Sequence, residues 1–279
     1  MKIPEGFQFS PSSLQDFEDC RYRFWLRYLQ QVAWPAVQSE PAMESERRMQ
    51  SGARFHHMAQ AYFSGVPVEN LSGITQDSQL DLWWANFLDL IPASLPPPTT
   101  PPDRFAEIQL SAALNGRRLL AKLDFVCRFP DGSWRIYDWK TNLKRPARSW
   151  LQKSLQTRLY PYLLVRASAA INQGQSISPG QVSMTYWFPA FQDQPETFTY
   201  SLPQYEMDEA YLSGLIAVIE GLDESGFVKT NRLETCRFCV YRSLCDRGTA
   251  AGEDADASDE PQEEPAVTFD YDQIVEISF

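Results

Sequence analysis

Three residues carry the strongest chemical signal in the chain: Asp124, and Asp138 with Lys140 two positions beyond it. Two carboxylates converging at strand ends form a hard-oxygen site suited to Mg²⁺ or Mn²⁺. A lysine beside them can orient or deprotonate a water and neutralise charge developing on a phosphate. Phosphodiester hydrolysis needs this set. An isolated D-x-K is more often a surface ion pair, but the flank Arg135-Ile136-Tyr137-Asp138-Trp139-Lys140 reads as a buried strand delivering polar groups at its tip.

Cysteines form a second set: Cys20, then Cys236, Cys239 and Cys245. Clustered thiolates in a chain without a secretory leader point to metal rather than disulfides. Spacing alone leaves zinc and iron–sulfur open, zinc being the commoner. Cys127 reads as a small core residue.

The elements that must position these groups are legible. Residues 106–114 alternate, Asn115-Gly116 is a hairpin signal, 117–129 is the return strand, and Pro130-Asp131-Gly132 turns the chain into a third strand over 133–139. In a simple register Asp124 faces Trp139, and Asp138 and Lys140 share one strand face. A helix follows over about 149–170, with Pro161 expected to kink or restart it. Two strands (181–189 and 196–202) and a helix (204–222) complete a β-β-β-α-β-β-α order, an α/β (α+β) core. Upstream, a helix is expected to open at a Ser10, Ser12 or Ser13 cap, with Pro11 suiting its start, and to run to about Leu29, followed by helices from about Met43 to Phe63 and Ser78 to Leu90. The stretch from Pro92 to Pro102 holds six prolines and reads as an extended linker.

The 279 residues, 43% of them hydrophobic, are enough for a substantial core and exclude a disordered, collagen-like or disulfide-framework chain. The opening MKIPEGFQFSPSS has no apolar core of a secretory signal, and no run approaches a membrane span, so a cytoplasmic location without membrane association is expected. The net charge of −11 is mostly a tail property: residues 249–279 hold ten acids and no Lys or Arg. From Trp139 to Gln192 there is no acid at all, while Lys140, Lys144, Arg145, Arg148, Lys153, Arg158 and Arg166 lie in that stretch. A solvated helix face and a phosphate-tracking face both fit this pattern.

The run LDFVCRFPDGSWRIYDWKTN resembles the core motif of PD-(D/E)XK nucleases, specifically the RecB-like branch. Leu123 stands in place of the family proline and Asn142 in place of a common glycine. Further segments match in order. SGARFHH is similar to the G-x-x-x-H element, Gln156 to Tyr160 to the Q-x-x-x-Y element, and SPSSLQDFEDCRYRF to the opening of iron–sulfur members, with Arg21 replacing a proline.

This resemblance implies a restriction-endonuclease-like core, a mixed sheet flanked by helices, over 103-225. A helical N-terminal region and linker would occupy 1-102, a cysteine segment 226-248 and an acidic tail 249-279. His56, Asp124, Asp138 and the Trp139 carbonyl would bind Mg²⁺ or Mn²⁺, with Glu107 auxiliary and His57 redundant. Lys140, Gln156 and Tyr160 would serve catalysis, and Lys144, Arg145, Arg148, Lys153 and Arg158 would track DNA. Cys20, Cys236, Cys239 and Cys245 would hold a [4Fe-4S] cluster, with Arg21, Arg23, Arg237 and Arg242 adding charge beside it. The function implied is a DNA nuclease, an exonuclease acting on ends in repair or recombination. The alternative is a non-cleaving nucleic-acid- or partner-binding module. The chain has no phosphate-binding G-x-x-x-x-G-K-[ST] motif, so unwinding would require a separate helicase. For the tail, partner binding, a docked strand and a cover for the basic face all remain open.

Overall fold

The computed structural model describes residues 3–33, 40–72, 77–96 and 103–248. Its elements in order are β1 (Gln8–Phe9), α1 (Pro11–Asp19), α2 (Arg21–Phe24), a π turn (Trp25–Leu29), α3 (Glu40–Phe63), α4 (Ser78–Ser94), β2 (Arg104–Leu114), β3 (Arg117–Arg128), β4 (Trp134–Trp139), α5 (Arg148–Lys153), α6 (Leu155–Arg166), β5 (Val182–Trp187), β6 (Glu196–Thr199) and α7 (Leu202–Gly221). The strands form one mixed sheet in the order β1-β3-β4-β5-β6, with β2 also paired to β3. Asn115 and Gly116 both take positive φ at the β2–β3 turn, as a two-residue hairpin requires. The β4–β5 pair is parallel, so the chain must cross over between them, and it does so through α5 and α6. This is the mixed α/β architecture with a helix-flanked sheet that the sequence implies.

β3 is the hub. Arg118 and Leu119 pair with both β2 and β1, while Phe125 to Cys127 pair with β2 and Phe125 to Arg128 with β4. β1 and β4 therefore share the edge of β3 opposite β2, separated by residues 120–124, which have no ladder partner on that edge.

Two cores lie on the sheet. One joins Leu119, Leu123, Val126, Ile136, Met184 and Tyr186 to Leu14 and Phe17 of α1, Leu159 and Leu163 of α6, and Leu212 and Ile216 of α7. The other joins Phe125, Tyr137, Trp139 and Trp187 to Phe55 of α3 and to Trp83, Trp84 and Phe87 of α4. Phe87 is fully buried among these rings, and truncating it to Ala would cost about 3–5 kcal/mol.

The structure departs from the sequence reading at several points. The first helix breaks at Cys20, which is extended (φ −159°, ψ 106°) and caps α2 by accepting the Arg23 N–H on its sulfur. Pro92 lies in the last turn of α4 rather than in a linker; there its missing N–H costs only one bond near the helix end. Residues 97–102 of the proline-rich stretch and the tail 249–279 lie outside the described residues. Pro161 sits inside α6 without ending it; the break falls at Ser154, whose hydroxyl accepts the Gln156 N–H. Register also differs by one: Phe125 faces Tyr137, which puts Asp124 level with Asp138 rather than Trp139.

Candidate active site

The site is built where β4 parts from β3. Beyond the Phe125–Tyr137 pair, the Asp124 carboxylate replaces the ladder, its Oδ2 accepting the Trp139 N–H at 2.7 Å. On the other edge Glu107 falls opposite Asp124, and it is the one position of β2 without a ladder partner. Its φ is +52°, the left-handed region that a non-glycine residue rarely adopts and that clusters at functional sites. Alternation of side chains breaks here as well. Leu119, Ala121 and Leu123 belong to the first core, Phe125 and Cys127 to the second. The irregularity at Glu107 and Asp124 thus turns both carboxylates out of the regular pleat.

α3 supplies the third group. It buries Phe55 in the second core and presents the neighbouring His56, whose Nδ1 lies 3.3 Å from Asp124 Oδ1 and 4.0 Å from Glu107 Oε1. One ligand atom from each of the three residues lies within 4.8 Å of the others, close enough for a single cation. His57 is exposed, so α3 turns only one histidine to the site. The glycine of G-x-x-x-H has a mechanical reason: a β-carbon on Gly52 would stand 2.7 Å from Thr141 Oγ1. Only glycine lets α3 press against the residue following Lys140.

Electrostatics follow from this packing. Burial pulls the His56 pKa down, but Asp124 by charge and hydrogen bond, then Glu107 and Asp138, outweigh it and raise it to about 9. Burial opposes ionisation of Asp124 too, yet His56, Lys140 and the Trp139 N–H hold it below the ordinary carboxylate range. Glu107 is raised by burial and by the Asp124 charge, against the pull of Lys122. Lys122, which the sequence reading passed over, places its Nζ 2.5 Å from Glu107 Oε2. Its position two residues before Asp124 on the same strand was the available signal.

Beside this cluster runs a polar chain. Lys140 Nζ lies 2.8 Å from Asp138 Oδ2 and donates to Gln156 Oε1 at 2.8 Å, and Gln156 Nε2 donates to the Tyr160 hydroxyl at 3.1 Å. Asp138, Lys140 and Tyr160 are buried. Charges so placed are tolerable only when paired. The 3.6-residue period sets Gln156 and Tyr160 on one face of α6.

The basic residues divide. Arg145 and Arg148 both ion-pair with Glu196, and they donate to the Gln194 and Thr197 carbonyls at 3.0 Å each. Arg158 bonds the fully buried Asp208 at 2.8 Å. Lys144 and Lys153 are exposed.

Cys20, Cys236, Cys239 and Cys245 line one cavity together with Arg23, Lys229, Arg242 and Arg247. Burial, with Cys20 and Cys236 nearby, pushes the Cys245 thiol up, against Lys229. No three of the four sulfurs lie within 4.8 Å of one another. Around the cavity the two ends of the body are joined: the Tyr22 N–H donates to the Val228 carbonyl at 3.2 Å and the Tyr241 hydroxyl to the Val32 carbonyl at 3.0 Å. Arg23 is buried against Asp16 (2.8 Å) and Asp19 (3.0 Å). Cys127 is buried in the second core, its thiol pushed up to about 12 by desolvation.

No helix among the described residues is long and apolar enough to cross a membrane. No curated protein matches the chain. Among solved structures it is similar to SSO0001 (11% identity, 87% of each chain covered, TM-score 0.39). It is also similar to a Eubacterium rectale protein provisionally described as an exonuclease (12% identity, 84% of this chain and 87% of that one, TM-score 0.46). The sequence profile of the PD-(D/E)XK nuclease superfamily matches residues 8–246, from β1 through the last cysteine, and by that match the chain belongs to this superfamily.

Proposed function

We propose that this nuclease is a divalent-metal-dependent deoxyribonuclease of the RecB-like branch, an exonuclease acting on DNA ends in repair or recombination. The observation that supports it most is the meeting of two sets at one strand divergence: His56, Glu107 and Asp124 within reach of one cation, and Asp138 with Lys140 beside them. His56, Asp124, Asp138 and the Trp139 carbonyl would hold Mg²⁺ or Mn²⁺, with Glu107 as auxiliary ligand. When bound, the ion activates water and takes up charge at the scissile phosphate. Lys140 meets the attacking water or a phosphate oxygen, and its ammonium is fixed by Asp138 and Gln156. Tyr160 holds Gln156 in turn. The Trp139 N–H fixes one Asp124 oxygen and leaves the other toward His56.

The four-cysteine cavity supports a [4Fe-4S] cluster as the second cofactor. Four cysteines lining one cavity with Lys229, Arg242 and Arg247, beside an Arg23 already paired with Asp16 and Asp19, suit an anionic cluster. A tetrahedral thiolate zinc site is the competing occupant of the same four cysteines. The cluster would tie the α1–α2 junction to the C-terminal segment.

The test is cleavage by protein purified without oxygen, on single- and double-stranded DNA, linear and circular, with Mg²⁺ or Mn²⁺. Wild type should cut linear DNA, and Asp138→Asn and Lys140→Ala should not. Cutting that survives both substitutions would overturn the site. Absence of cutting by wild type with its cluster intact would favour a binding module or dependence on a helicase partner.

A further inference from the structure

The Lys140–Gln156 hydrogen bond closes a loop of chain. Residues 141–155 leave the site at Lys140 and return to it at Gln156. This arch carries Lys144, Arg145, Arg148 and Lys153 and no acid. Its two central arginines are engaged by the sheet edge, Arg145 half-buried and Arg148 still 53% exposed. Arg145 and Arg148 grip Glu196 on β6 and lie over the rings of Phe188 and Phe198. Leu151 is fully buried, and its carbonyl accepts the Thr157 hydroxyl. The arch is thereby pinned to the sheet edge and to α6.

What it shows to solvent is unusual for a pinned segment: Trp150, 50% exposed, and Leu143, 40% exposed, alternating along the chain with exposed Lys144 and Lys153. An exposed indole on a rigid, cationic, acid-free support has the chemistry of a base-stacking platform. Each stacked base contributes 1–3 kcal/mol whatever its identity, and the cations meet the backbone. Stacking requires an unpaired base face, which a duplex interior does not offer.

We propose that the arch is a single-strand clamp in which Trp150 stacks on a nucleobase next to the scissile phosphate, so that the preferred substrate is a single-stranded or frayed end. Glu196 is the positioning residue that fixes the arch. The inference rests on the nuclease reading above. A docked protein is the competing occupant of the same surface, and the test separates them.

Full-length protein purified without oxygen is titrated in Ca²⁺ with a fluorescent single-stranded oligonucleotide and with a blunt duplex. Trp150→Ala should weaken single-strand binding by about tenfold or more while leaving the duplex unchanged. Trp150→Phe, which keeps a ring, should restore most of it, and thermal melting should match wild type in both. Unchanged single-strand affinity in Trp150→Ala, or an equal loss on the duplex, overturns the clamp and favours a protein partner. Wild-type protein that cuts DNA while Trp150→Ala binds as wild type does overturns the clamp alone. Wild-type protein that neither binds nor cuts DNA of either kind overturns the nuclease reading itself.

Discussion

Gly52 of α3 rests against Thr141 so closely that any β-carbon at 52 would come within 2.7 Å of the threonine hydroxyl. One turn further along the same helix is His56, and immediately before Thr141 is Lys140. This contact therefore sets the distance between the histidine and the lysine strand. Gly52→Ala is expected to gain roughly 1 kcal/mol of helix propensity yet push α3 off β4. Metal affinity should fall about tenfold or more, with melting temperature little changed. Adding Thr141→Ala, which removes the obstructing hydroxyl, should restore affinity. Mn²⁺ titration of the single and double variants checks this, and failure of the rescue would discard the steric account.

With His56 as a ligand of the proposed metal, binding and folding should respond oppositely to pH. Its pKa in the metal-free fold is about 9, against an ordinary 6.5. The folded state thus holds the proton more tightly than the unfolded chain. The ion pair with Asp124 stabilises fully below pH 6.5, and that stabilisation is lost as pH rises to about 9. A cation needs the neutral imidazole, so Mn²⁺ affinity should climb over the same window and level off above it. Chemical denaturation and Mn²⁺ titration from pH 6 to 9.5 should show both trends, and His56→Gln should flatten both.

Gln156 touches Lys140 but is not itself charged. Replacing it with Leu should lower kcat by about 10–100-fold, the usual scale for a partner that orients a reacting group, with KM for DNA nearly unchanged. Tyr160→Phe, which deletes only the hydroxyl at 3.1 Å from Gln156, should cost less. Equal effects on KM would instead place Gln156 in substrate binding.

Loss of any one of the four clustered thiols should act on stability before activity. Cys20→Ser is expected to bleach the visible absorbance of the proposed cluster and to expose the segment near Val228 to protease, because the contact of Tyr22 with Val228 loses its neighbouring staple. The colour should follow iron content by metal analysis. Stoichiometric zinc in its place would overturn the cluster assignment.

Much of this was legible from the chain. The hairpin at Asn115-Gly116 and the strand that carries Asp138 follow from period-two alternation and turn chemistry, which are local. The two-residue β1 could not be read that way: Gln8 and Phe9 are a strand only because β3 offers them an edge. The left-handed Glu107 and the shifted register at Asp124 are likewise products of tertiary divergence between strands, with no sequence period to announce them. Charge balance is another feature that only the fold shows. The acid-free run after Trp139 looks uncompensated in sequence, yet Glu196 and Asp208, distant in the chain, take up Arg145, Arg148 and Arg158.

The placement of β1 has a consequence for how the protein comes off the ribosome. Gln8 and Phe9 are made long before Arg118 and Leu119 and must wait for them to have a strand to join, and Tyr22 must wait for Val228. This segment is thus held open until β3 and the stretch around Val228 have been made, its Phe9, Leu14, Phe17 and Phe24 without the core that later buries them.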